Sequence, residues 1–232
     1  MECYEFGDKN APTVLLQPVG ESGPDGLENE IAFIRDRTAA DFRLIAFRVG
    51  DWNRDLSPWK APAVFGRDAF GDGAAETLGE IVRRCGDGTK TYYLGGYSLA
   101  GLFALWAAYQ TDLFRGIAAA SPSVWFPGFT AYMKEHEIRS RHVYLSLGEK
   151  EEKARNPVLA SVGDRIRTAR DLLVERQTDC VLEWNEGNHF RDADLRTAKA
   201  FAWVMSRREV CGKSDPPEAR AEKSTKERMM RA

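Results

Sequence analysis

The sequence predicts an α/β fold, a mainly parallel central sheet with helices on both faces, and three observations lead to it. Short apolar runs rich in β-formers alternate along the chain with apolar stripes spaced by about 3.6 residues. Such alternation implies right-handed crossovers between parallel strands, which put helices on both sides of one sheet. The 232 residues are 43% hydrophobic and 11% aromatic, enough apolar material to bury both faces of that sheet within a single domain.

Strands are expected at 13–19, 42–49, 91–97, 116–120, 142–147 and 180–184, each a short β-rich run. The stripe Leu27, Ile31, Ile34 marks a helix after the first strand. Leu78, Ile81, Val82, Cys85 mark one before the third, and Leu159, Val162, Ile166, Leu173 one before the last. An apolar helix through Ala104-Leu105-Trp106-Ala107-Ala108-Tyr109 follows the third strand. Two stretches, 50–73 and 121–141, break the rhythm and are rich in Trp, Phe, Pro and Gly. They follow the carboxyl ends of strands, where open α/β sheets bind ligands, and loops of that length are uncommon without a function. Trp52, Trp59, Trp125 and Phe126 are therefore candidates to contact a substrate; the alternative is that they cover the sheet end by packing. The domain is expected over 1–211, and 212–232, polar and free of aromatics, reads as a solvated, disordered tail.

Composition narrows the partners. Lys and Arg number 33 against 35 Asp and Glu, a net charge of −2, so no long-range field draws nucleic acid and a small or neutral ligand fits better. The start Met1-Glu2-Cys3-Tyr4 has neither a basic region nor an apolar run, and no stretch approaches ~20 consecutive apolar residues. No membrane association is expected, and a cytoplasmic location follows by default. Cys3, Cys85, Cys180 and Cys211 are scattered without a C-x-x-C pair and read as structural or idle thiols. His136-Glu137 and His142 do not make H-E-x-x-H. Gly71-Asp72-Gly73 and Gly86-Asp87-Gly88 lack the third glycine and the preceding strand of a dinucleotide fingerprint, so neither metal nor cofactor is expected.

The segment Gly95-Gly96-Tyr97-Ser98-Leu99-Ala100-Gly101 carries the chemistry: a strand runs into Ser98 and a buried helix runs out. That is the context of a nucleophile elbow, in which a strained strand-to-helix turn exposes the serine. Residues two before and two after must be small, and Gly96 and Ala100 meet that need. A serine hydroxyl needs a base within hydrogen-bond reach to react near neutral pH. Of the three histidines, His136 lies in a charged stretch and His142 precedes a strand. His189 follows the last strand in a glycine-containing turn, where the base is expected. The orienting acid follows the penultimate strand in chain order Ser, acid, His. Among Glu149, Glu151 and Glu152, Glu151 is the choice, three residues past Gly148; Glu149 falls within the turn and Glu152 on the solvent side. An oxyanion needs two backbone donors already in place. Leu99, after the nucleophile, supplies one; the turn Gln17-Pro18-Val19-Gly20 supplies the other through Val19 or Gly20, since Pro18 has no N–H.

Ser121-Pro122-Ser123-Val124-Trp125, taken with Gly96-Tyr97-Ser98-Leu99-Ala100-Gly101, resembles the esterase D and enterochelin-esterase-like group over roughly 13–205. The resemblance implies an α/β-hydrolase domain that cleaves a small carboxylic ester without a cofactor, through a triad carried here by Ser98, Glu151 and His189. Ala100 for the common glycine and Glu as the acid depart from the usual pattern. The separate N-terminal β-rich domain of enterochelin esterases has no room here, which argues against a siderophore substrate. The expected function is ester hydrolysis through an acyl-enzyme on Ser98 with His189 as general base. An acyltransferase or thioesterase would use the same residues, and a non-catalytic binding protein would keep only the scaffold.

Overall fold

In a computed structural model that describes residues 1–21 and 23–207, the alternating segments become seven strands and the helices between them. The strands are β1 (Cys3–Gly7), β2 (Thr13–Val19), β3 (Phe42–Arg48), β4 (Thr91–Tyr97), β5 (Phe114–Ala120), β6 (His142–Gly148) and β7 (Asp179–Asn185). The helices are α1 (Leu27–Arg37), α2 (Trp52–Asp55), α3 (Ala74–Arg84), α4 (Leu99–Gln110), α5 (Phe129–Glu135), α6 (Pro157–Ala160), α7 (Val162–Glu175) and α8 (Ala193–Ser206), with a 3-10 turn at Glu151–Lys153. The tail expected over 212–232, and the boundary at 211, lie outside the described residues.

The sheet order is β1-β3-β2-β4-β5-β6-β7, parallel throughout except for β1, which runs antiparallel to β3. The chain therefore builds outward in one direction through β3 and in the other from β4 onward. At the reversal β2 and β4 lie side by side, Thr13 opposite Thr91 and Leu16 opposite Leu94. Ligand sites of open α/β sheets form at the carboxyl ends of strands flanking such a reversal, and here those ends deliver Val19 and Ser98.

Both faces of the sheet are buried. On one face α1 and α8 cover Leu15, Leu44, Ala118 and Tyr144 with Leu27, Ile31, Ile34, Ala198, Phe201 and Val204. On the other, α3, α4 and α7 cover Val14, Leu16, Leu94 and Ile117 with Leu78, Ile81, Leu102, Phe103, Ile166 and Leu173. α4, apolar on every side, is buried from Leu99 to Tyr109, as expected of a helix enclosed by the sheet and its neighbours. The differences from expectation are local. β1 is a short edge strand with only Tyr4 and Phe6 to signal it, α8 lacked a marked stripe, and Leu159 belongs to the separate turn α6 that ends at Ser161. Among the described residues no helix is long and apolar enough to cross a membrane. Burial pushes the thiol of Cys85 up to about 11 and that of Cys180 up to about 12, which keeps both as inert thiols.

An acid is packed between α1 and β2. Glu30, on the α1 face that meets β2, is 5% exposed, and its Oε1 accepts from Gln17 Nε2 at 3.2 Å. Glu30 Oε2 and Gln17 Oε1 are both buried without a partner. Burial, opposed only by the Gln17 hydrogen bond, pushes the Glu30 carboxyl up to about 8 from 4.5. The folded chain thus holds this proton after the unfolded chain has lost it, so folding stability falls between about pH 4.5 and 8 and levels off above. Glu30→Gln should remove that loss. Equilibrium unfolding should find the variant more stable than wild type at pH 8, by up to ~3–5 kcal/mol, with the difference vanishing below about pH 4. A pH-independent difference would contradict the buried-acid assignment.

Candidate active site

β4 ends at Tyr97 and α4 begins at Leu99, so the whole turn is one residue, Ser98, at φ 58° and ψ −120°. Positive φ on a serine is strained by ~1–3 kcal/mol and persists only where neighbours fix it. Here they do: Ser98 N donates to Ala120 O at 3.1 Å, and Ser98 O accepts from Leu102 N and Ser123 N, each at 3.0 Å. The approach of strand and helix leaves no spare room. A Cβ on Gly96 would lie 2.6 Å from Ala100 Cβ, so the methyl that replaces the usual second glycine uses up the space that a side chain at 96 would need.

Ser98 Oγ lies 2.9 Å from His189 Nε2 and 3.3 Å from Ser123 Oγ. His189 Nδ1 lies 2.7 Å from Glu151 Oε2. A carboxylate only accepts, so Nδ1 carries the hydrogen and Nε2 is left to accept from the serine hydroxyl. Ser98, Glu151 and His189 are thus brought together from the three elements expected. Glu149 is exposed, and Glu152 Oε2 instead accepts from Arg167 at 2.9 Å. Glu151 is 8% exposed in the 3-10 turn after β6. Its Oε1 accepts from Gly148 N at 2.7 Å, Ser121 Oγ at 2.9 Å and Arg196 Nη1 at 3.2 Å. Gly148 has to be glycine: a Cβ would meet Gly187 O at 2.7 Å and Glu151 Oε1 at 2.9 Å. Two backbone bonds, Glu149 N to Asn185 O at 2.9 Å and Lys150 N to Gly187 O at 3.0 Å, tie the acid's turn to the loop that carries His189.

Leu99 opens α4, so its N–H has no acceptor within the helix. Val19 closes β2, its carbonyl accepting from Val49 N at 3.0 Å, and Gly20 follows it with the Trp52 ring alongside, 3.6 Å from where a Cβ would stand. Trp52 is half-buried at this edge. Trp59 is half-buried too, its Nε1 donating to Pro127 O at 2.9 Å. The expectation that Trp125 and Phe126 line a substrate is corrected: Phe126 has no exposed surface and Trp125 is 7% exposed, packed on Phe65 and Phe70. Packing of the loop aromatics over the sheet end is the reading that holds for these two.

His136 stacks on Tyr132 away from these groups, and His142 pairs with Asp179 at the amino end of β6. There a cavity of about 640 Å³ is lined by Arg139, Arg141, His142, Arg176 and Asp179, at the end of the parallel strands opposite to the one that carries Ser98. Sequence reasoning did not mark Tyr97, Ser121, Ser123, Arg196 or Phe190 as functional. Ser121 and Ser123 stand in the Ser-Pro-Ser segment; Phe190, 88% exposed beside His189, and Arg196, fully buried, carry no pattern that separates them from ordinary surface residues.

No family model matches the chain, and no curated protein matches it significantly. Solved structures do. The IroE-like serine hydrolase of Shewanella oneidensis superposes with a TM-score of 0.69 at 14% identity, over 87% of this chain and 74% of that one. The siderophore hydrolase EstA of Aspergillus nidulans gives 0.64 at 21% identity, over 87% of this chain and 86% of that one. The enterobactin esterase of Shigella flexneri gives 0.56 at 14% identity, over 88% of this chain and 54% of that one. With the sheet order described above, this likeness establishes the α/β-hydrolase fold.

The elbow geometry has a direct test. Gly96→Ala should cost ~1–3 kcal/mol by overpacking. Ala100→Gly in that background should return part of it, less the ~1 kcal/mol that glycine costs in a helix. Urea unfolding of both singles and the double measures the coupling, and strict additivity would mean that the two positions do not meet.

Proposed function

We propose that this protein is a serine esterase that cleaves a small carboxylic ester through an acyl-enzyme on Ser98. One observation carries the reading: a strained serine at a strand-to-helix turn stands in line with an imidazole at 2.9 Å and a buried carboxylate at 2.7 Å. Ser98 Oγ attacks the ester carbonyl carbon while His189 Nε2 takes its proton, and Glu151 stabilises the imidazolium that forms. The developing oxyanion is held by the N–H of Leu99 and that of Val19 or Gly20. Collapse expels the alcohol, which leaves with the proton from His189. A water, deprotonated by the same nitrogen, then attacks the acyl-enzyme and releases the acid and the free serine. No step requires a cofactor. Trp52, beside Gly20, and Phe190, beside His189, are the aromatic side chains offered to the apolar part of the ester.

The names of the neighbours fit this class: a serine hydrolase, a siderophore hydrolase and an enterobactin esterase. EstA, of which this chain covers 86%, is a siderophore hydrolase, which supports a substrate of that kind against the expectation drawn from the sequence. A siderophore ester belongs in the substrate panel beside simple esters.

The test is chemical labelling with turnover. Wild type should be modified at Ser98 by a fluorophosphonate and should hydrolyse members of a panel of short p-nitrophenyl esters. Ser98→Ala should fail to label and lose ~10³-fold or more in kcat. A folded wild type that neither labels nor hydrolyses would remove the reading in favour of a binding protein. Added alcohols that compete with water for the acyl group would move it to acyl transfer.

A further inference from the structure

Arg196 is among the largest side chains in the protein with no exposed surface to speak of, at 2%. A buried guanidinium is costly unless its donors are matched to acceptors and its charge to a counter-charge. Both are met, by the acid of the site, by the loop that carries its base and by two hydroxyls that touch one or the other. Nη1 donates to Tyr97 Oη at 3.0 Å, to Glu151 Oε1 at 3.2 Å and, more weakly, to Ser121 Oγ at 3.4 Å. Nη2 donates to Glu186 O at 2.9 Å. Tyr97 Oη in turn donates to His189 O at 2.8 Å.

The geometry points to Arg196 as the positioning residue that sets Glu151 and His189 against each other, one guanidinium holding the acid with one nitrogen and the base's loop with the other. This rests on the serine esterase reading above. A carboxylate has two equivalent oxygens and a soft terminal torsion. With Oε1 held by Gly148, Ser121 and Arg196, only Oε2 remains for His189 Nδ1. The loop is held at two places, Glu186 O directly and His189 O through the phenol. Only a planar fork spans these acceptors at fixed angles; a lysine ammonium supplies the charge without the fork. The scaffold under the fork is rigid, since α8 is seated on the sheet by Ala198, Phe201 and Val204.

The charge has its own effect. The titratable groups facing His189 are Glu151 and, through it, Arg196, with Tyr97 kept neutral by burial; Arg191, salt-bridged to Glu186 and Asp192, lies at the surface of the same loop. The fixed guanidinium offsets part of the carboxylate's pull on the imidazolium. Removing it should favour protonation of His189, so the acid limb of the kcat/KM profile should move to higher pH.

The experiment compares wild type, Arg196→Met, Arg196→Lys and Tyr97→Phe. Each is checked for folding by circular dichroism, assayed for kcat and KM across pH, and titrated at His189 by NMR. For Arg196→Met the expected result is a loss of ~10²-fold in kcat from misplaced groups, little change in KM, and a move of the His189 midpoint to higher pH. Arg196→Lys should bring the midpoint back while recovering only part of kcat. Tyr97→Phe, which keeps the ring and deletes one link, should lower kcat without moving the midpoint and keeps the test open if Arg196→Met does not fold. Wild-type kcat and midpoint in a folded Arg196→Met, or in both Arg196→Lys and Tyr97→Phe wild-type kcat, would overturn the assignment. Fluorophosphonate labelling of Ser98 in each sample reports on the esterase reading itself. An unlabelled wild type marks failure of that reading, whereas a labelled wild type with indifferent variants marks failure of the clamp alone.

Discussion

The close passage of β4, α4 and α8 at the reversal of the strand order is the constraint on which the rest of the molecule depends. Gly95 lies so near α8 that a Cβ would stand 2.6 Å from Phe201 Cζ, and Gly101 so near the loop after β5 that a Cβ would stand 3.2 Å from Pro122 Cα. Small side chains at Gly95, Gly96, Ala100, Gly101, Ala118, Ala119 and Ala120 let a helix pack tightly on each side of the central strands. The chain then has a single residue in which to turn from strand to helix, and the serine is driven into a conformation that lifts its hydroxyl clear of the helix. The site is a product of packing before it is a product of chemistry.

Around that turn the polar groups are organised by burial. A carboxylate and a guanidinium at 5% and 2% side-chain exposure are tolerable only as a pair with the remaining donors and acceptors matched. The pair is matched by backbone at the end of β6, Gly148, and in the loop after β7, Glu186, and by two hydroxyls, Ser121 and Tyr97. Charged groups therefore set the geometry on the acid side of His189, while the Ser98 side remains half-exposed and open to a ligand. Glu30 shows the opposite arrangement: buried with one amide and no cation, it is held protonated and plays no part in this network.

The strands were legible because each is a compact apolar run in a sheet covered on both faces, and α1, α3 and α7 because each buries one stripe. β1 was not, since five residues at an edge with two aromatics carry too little pattern to stand out. The expected members of the site could be found because a small-x-Ser-x-small turn between strand and helix restricts position 98, and chain order then restricts the acid and the base to two loops. Arg196 was invisible for a physical reason: periodicity weighs apolar residues, and an arginine whose charge is neutralised in the core has the same letter as one in water. Trp125 and Phe126 erred the other way, because a long aromatic loop reads alike whether its rings face a ligand or one another, and here Phe65, Phe70 and Phe126 make them face one another.

The conformation of Ser98 sets two kinds of selection against each other. Glycine at 98 would adopt φ 58° with little strain, so its loss of the nucleophile would come with a gain in stability of order 1 kcal/mol. Variants sorted for heat resistance alone would drift towards glycine at this position, whereas variants sorted for turnover would keep serine. On the proposed esterase reading, Ser98 is thus both the nucleophile and a place where the fold stands off its own optimum.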